Sequence, residues 1–94
     1  MSVKAGANIA FMMNFVCDFI DERMDRDSFD LDFHHHLNKR YDGMFRENAE
    51  AAQAFAESIG DVVERSAAMS DDDFRDALCD PYDLVLDILR GRAY

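Results

Sequence analysis

Along most of this chain the apolar residues recur three or four positions apart, the spacing of one face of an α-helix. The longest such run extends from Phe33 to Val63 and comprises Phe33, Leu37, Tyr41, Met44, Phe45, Ala49, Ala52, Phe55, Ala56, Ile59, Val62 and Val63. On a wheel of about 100° per residue these positions fill less than half the circumference. Lys39, Asp42, Arg46, Glu47, Glu50, Glu57, Asp61, Glu64 and Arg65 lie outside that arc. The pattern predicts one amphipathic helix on the order of 45 Å long. Its stripe must be buried against the rest of the chain, a second copy or a partner. Gly43 falls on the polar face, where glycine costs roughly 1 kcal/mol against alanine without stopping a helix, whereas Gly60 can bend or end it. A break at Gly43, giving two helices, is the alternative. Asn48 sits inside the apolar arc, where it sets register in a helix pair or marks an exposed part of the stripe.

A first helix is predicted from about Ala7 to Asp25. Ile9, Met12, Met13, Val16, Phe19, Ile20 and Met24 form its apolar face, and Asn14, Asp18, Asp21 and Asp25 the wet one. Phe11 and Phe15 lie on the flank and, with Phe19, widen the arc. Either the helix is buried on two sides, or Phe11, Phe15 and Phe19 form an exposed patch that docks a partner or a twin subunit. Asp27, Ser28, Asp30 and Asp32 are N-cap types, so the long helix is expected to begin near Asp30 to Asp32.

Ser66 to Ser70 reads as a connection. Ser70 then caps a helix over Asp71 to Cys79, with Asp73 at the capping-box position and three carboxylates at the positive end of the dipole. This helix buries Phe74, Ala77 and Leu78. Asp80 followed by Pro81 predicts a fresh start, Asp80 as N-cap and Pro81 at the first helical position. Tyr82, Leu84, Val85, Leu86, Ile88 and Leu89 make the last helix apolar nearly all round, hence the most buried element. Gly91 ends it, with Arg90 and Arg92 suited to its negative end. The expectation is a single all-α domain over residues 1–94, a small bundle of about four helices with one long central amphipathic helix.

Composition agrees with that class. One proline and four glycines among 94 residues are too few for a fold of many turns, and β-branched residues are scarce. The formal net charge of −10 argues against direct nucleic-acid binding through phosphates and against an anionic membrane surface. The acid is mostly Asp and the base mostly Arg, as a high-salt habitat, a GC-rich genome or a basic partner would each produce. Lys4 followed by Ala5 to Cys17 imitates a secretory signal, but Asn8 and Asn14 interrupt the apolar run and Asp18 follows without a small-residue cleavage site. Val16 before Cys17 spoils a lipoprotein reading, and no run approaches membrane-spanning length. A cytoplasmic protein is expected, with Cys17 and Cys79 as reduced thiols and a single disulfide as the alternative.

His34, His35 and His36 invite a metal reading. Consecutive helical residues point about 100° apart, so the three cannot converge on one ion. Asp30 with His34, or Asp32 with His36, supplies only two ligands of the three or four zinc needs. His34 falls on the apolar arc and reads as a core-edge histidine, with His35 and His36 outward. Asp25, Asp27 and Asp30 hint at a calcium loop, but Phe29 and Asp30 occupy its fifth and glycine positions. Neither a nucleophile motif nor a phosphate-cradling loop nor a dinucleotide fingerprint is present. No catalytic, cofactor-binding or metal residues are assigned, no cofactor is expected, and the protein reads as a non-enzyme.

The carboxylate rows carry more information. Asp18, Asp21 and Asp25 share one side of the first helix, and Asp76, Asp80, Asp83 and Asp87 have similar spacing across the last two predicted helices, if these are nearly collinear. Neighbours in such rows stand about 5–6 Å apart, close to the separation of phosphates along a strand. They can occupy a basic channel of another protein by electrostatic complementarity; a merely solvated acidic face is the alternative. The expected function is that of an interaction protein whose partner has a basic surface. In sharper form it is a small acidic inhibitor that displaces nucleic acid, of the physical character of anti-CRISPR and anti-restriction factors of phage or mobile elements. The rival is a structural homodimer or adaptor subunit joined through Phe11, Phe15 and Phe19 or through the open part of the long stripe, its acidity serving solubility.

Overall fold

The computed structural model describes residues 6–91; Lys4 and Arg92 lie outside them. The first helix, α1 (Ala7–Ile20), buries Ile9, Met12, Met13, Phe15, Val16 and Phe19. It stops short of the expected Asp25 because Glu22 takes a left-handed conformation (φ 63°). The Arg23 N–H donates to the Asp18 carbonyl (2.8 Å) and the Glu22 N–H to that of Phe19 (3.1 Å), the paired bonds of a Schellman stop, in which glycine usually holds the left-handed place. Glu22→Gly is therefore expected to raise stability by about 0.5–1 kcal/mol, read as a higher urea midpoint at unchanged slope.

That early stop releases Asp25 to cap α2 (Arg26–Glu47), its carboxylate accepting from the Ser28 N–H at 2.8 Å. The helix thus begins several residues before Asp30, and Phe29 joins Phe33 one turn on in the core. The predicted rod from Phe33 to Val63 is in fact two. Asn48 breaks it in an extended conformation (φ −163°, ψ 100°), and its side chain accepts from the Ala51 N–H at 3.0 Å to start α3 (Ala49–Ala54). Neither Gly43 nor Gly60 is the breaker. Gly43 is helical and not on the wet face: a Cβ there would fall 2.2 Å from Nδ2 of Asn8, so its role is the close approach of α1 and α2. α3 runs without a backbone break through a π-turn (Phe55–Ile59) into α4 (Gly60–Arg65). A 3₁₀ turn (Ser66–Ala68) follows.

Ser70 caps α5 (Asp71–Leu89), its hydroxyl accepting from the Asp73 N–H at 3.2 Å, with Asp71, Asp72 and Asp73 in the first turn. The two helices expected here are one, and Pro81 lies inside it. A proline removes one ladder hydrogen bond. Buried Leu78 before it and Val85 and Leu89 after it hold both halves on the core. α5 is not the most buried element: Leu84 is 48% exposed, and Tyr82, Leu86 and Ile88 are only partly covered. Gly91 closes the helix at φ 68° as expected, donating to the Ile88 carbonyl at 3.0 Å.

The helical rods meet on a run of phenylalanine rings. Phe19 lies 4.5 Å from Phe29 and 5.0 Å from Phe74, Phe29 lies 5.2 Å from both Phe15 and Phe33, and Phe33 stands 6.1 Å from Phe55. Such offset and edge-on pairs add to area burial. Arginines tie the rod ends. Arg75 donates to the Phe19 carbonyl at 2.9 Å and covers the Phe19 ring; Arg40 donates to Asn8 at 3.1 Å and covers Phe11 at 3.7 Å. Arg26 donates to the Ser66 and Met69 carbonyls and pairs with Asp71.

Glu47, at the end of α2, caps α1 from outside. Its carboxylate accepts from the Asn8 and Ile9 N–H groups (3.0 and 2.9 Å) and from Asn8 Nδ2 (2.9 Å). Desolvation pushes its pKa up, but these donors and nearby Arg40 outweigh it, and the carboxyl is held below its ordinary 4.5. A depressed native pKa stabilises above the unfolded value and loses that contribution as pH falls through the native one. Melting temperature should thus drop on acidification below about pH 5, and drop less in Glu47→Gln. An identical acid profile in the two proteins would remove Glu47 from this account.

Candidate functional site

Because α5 is continuous, Asp76, Asp80, Asp83 and Asp87 are spaced four, three and four residues apart on a single helix. They fall on one face within about 16 Å of axis. Asp76, Asp80 and Asp83 are exposed and Asp87 half-buried. Among the described residues no cation lies within ion-pair distance of Asp76, Asp80 or Asp83. Exposed Leu84 stands one turn from Asp80 and Asp87 and beside Asp83, an apolar contact edged by carboxylates that the sequence reading placed in the core.

The other predicted row does not form. Asp25 is the cap of α2. Asp18 and Asp21, at the end of α1, are both bridged by Arg23 at 3.0 and 3.3 Å. Asp21 instead joins the surroundings of α5. Its charge acts on Cys79 and on Tyr82, across the α1–α5 seam. Burial first, then Asp76, Asp83, Asp80 and Asp21, push the Cys79 thiol up, which keeps it protonated and a poor nucleophile. Burial, followed by a hydrogen bond with Cys17, pushes Tyr82 up to about 12. Both cysteines are free thiols.

The aromatic flank is used inside the fold. Phe15 and Phe19 are core residues, and partly buried Phe11 lies under Arg40 with His36 edge-on at 4.9 Å. Such rings are not an exposed patch on a single chain. The histidine at the core edge is His36, against Phe11 and Phe15, rather than His34, which is exposed. Within α2 the predicted arc holds at Phe33, Leu37, Tyr41 and Met44, which are buried or packed against the core, and fails at His34 and Phe45, which are exposed. Among the described residues no group of three or more His, Cys, Asp or Glu is placed to hold a metal ion, and no helix is long and apolar enough to cross a membrane.

Leu84, expected in the core, is the part of this surface absent from the sequence-predicted site, and Asp21, expected in a row on the first helix, lies instead at the end of α1 beside α5. An unbroken helix at Asp80–Pro81 would have revealed the first. Comparison with protein-family models, curated proteins and solved structures finds no match for the chain.

Proposed function

We propose that this chain is a non-enzymatic interaction protein of the cytoplasm that sets the acidic face of α5 against a basic surface of a larger partner. In its sharper form it is an inhibitor that occupies the place of nucleic acid on a nucleic-acid-binding protein, in the manner of anti-CRISPR and anti-restriction factors. The observation that carries this reading is the row Asp76, Asp80, Asp83 and Asp87 on one continuous helix with exposed Leu84 beside it. Cβ atoms about 5–6 Å apart space these carboxylates much as phosphates are spaced along a strand, and an apolar centre within a polar rim is the usual anatomy of an interface.

The internal use of arginine supports the same reading. Arg26, Arg40 and Arg75 bind carbonyls, Asn8 and aromatic faces within the fold, and the carboxylates that Arg26 and Arg75 also meet, Asp30, Asp71 and Asp72, are not those of the α5 row. Complementary charge of this kind accelerates encounter and weakens with salt. Asp76→Lys, Asp80→Lys and Asp83→Lys combined are expected to abolish capture of the basic partner while circular dichroism and melting stay near wild type. Reversal of Asp18, whose charge Arg23 already meets, should leave capture within about twofold. Equal capture by the α5 variant and the wild type would exclude the row.

A further inference from the structure

The outward face of α2 carries a second pattern, separate from the acidic row. Beside the buried Phe29, Phe33 and Met44, residues Leu31, His34, Asn38, Tyr41 and Phe45 follow one another at intervals of three, four, three and four, the repeat of a helix-pairing seam, with Tyr41 at its inner edge packed against the core. Leu31 is 79% and Phe45 43% exposed, His34 and Asn38 are exposed and Tyr41 is half-buried. The Tyr41 and Phe45 rings lie 6.3 Å apart on this side. Lys39 and Arg46 flank the seam, and neither has an ion-pair partner among the described residues.

The geometry points to a second copy of this chain as the occupant, its α2 antiparallel to the first about a two-fold axis at Asn38. Asn38 is midway between Leu31 and Phe45, so the axis brings Leu31 of each copy onto Phe45 of the other. The same operation sets Asp42 opposite His34, and Arg46 opposite Asp30, a residue that Arg26 of its own chain approaches to 3.5 Å. Every pair occurs twice, as an isologous interface requires. Asn38 meets its own copy on the axis, where a lone polar residue in an apolar seam fixes register. A parallel pairing would instead set Asp42 on Asp42 and Arg46 on Arg46, like charge on like. The seam from Leu31 to Phe45, within α2, supplies about two heptads of contact.

Sedimentation equilibrium from micromolar to millimolar protein tests the interface. The expected mass rises from one chain to two, and Leu31→Glu or Phe45→Glu weakens association by at least about tenfold. Both positions are exposed, so helix content by circular dichroism should be unchanged. Register is read separately in a Cys17→Ser/Cys79→Ser background. His34→Cys and Asp42→Cys chains, mixed and mildly oxidised, should link to each other and neither to itself. A mass of one chain throughout, a dimer indifferent to both glutamates, or self-linking of either cysteine chain would each overturn the proposal. A dimer split by Leu84→Glu alone would overturn it as well and move the contact to α5.

Discussion

Replacing Phe29 by alanine is expected to cost about 3–5 kcal/mol, the largest loss available to a single side chain here. Its ring is fully buried and touches Phe15, Phe19, Phe33 and Phe74, from three helices. No neighbouring side chain is free to fill the void, because each of those rings is held by others in the same ladder. A domain of this size has about 5–14 kcal/mol in all, so the variant should melt about 15–30 °C lower. Phe45→Ala is the control: that ring is largely outside the core and its loss should cost below about 1 kcal/mol. Equal losses for the two, measured by urea unfolding, would mean that the ring ladder is not the centre of the fold.

Arg26→Met is expected to cost about 2–4 kcal/mol, second only to the core rings. The guanidinium donates to the carbonyls of Ser66 and Met69, pairs with Asp71 and covers Phe74 at 5.0 Å. It thereby joins the start of α2 to the turn between α4 and α5. Hydrogen bonds from a charged donor contribute about 1.5–3 kcal/mol each, and a carbonyl left unpaired in a part-buried place adds its desolvation. Methionine keeps most of the aliphatic stem, so the loss isolates the polar head. Faster hydrogen exchange confined to residues 66–74 is the accompanying signature; a loss below about 1 kcal/mol would show that water replaces the head without penalty.

Helical class was legible because apolar spacing survives inside each element, and the Ser70 cap and Gly91 stop were legible because their chemistry is local. Three joints were not. Asn48 breaks a stripe whose three-or-four spacing continues on both sides, so periodicity alone is blind to it; an N-cap residue within the arc was the available signal. Pro81 follows Asp80 in the pattern of a helix start, yet Leu78, Val85 and Leu89 hold one continuous helix, a tertiary outcome that local propensity does not contain. Glu22 in a place glycine usually takes moved Asp25 from a surface row to a cap. The last two of these joints decide the candidate surface, since continuity at Pro81 assembled the α5 row and the stop at Glu22 dissolved the α1 row.

Whether the α5 row takes the place of nucleic acid on a basic partner is read by capturing partners on the immobilised protein from nuclease-treated host lysate and challenging the bound fraction with DNA, RNA and salt. The expected catch is a nucleic-acid-binding protein that the α5 triple-lysine variant fails to retain, released by its own nucleic acid and by moderate salt as screening shortens the reach of exposed charges. Retention unaffected by competing nucleic acid and by reversal of the row would contradict it, and the carboxylates of α5 would then be a solvated surface.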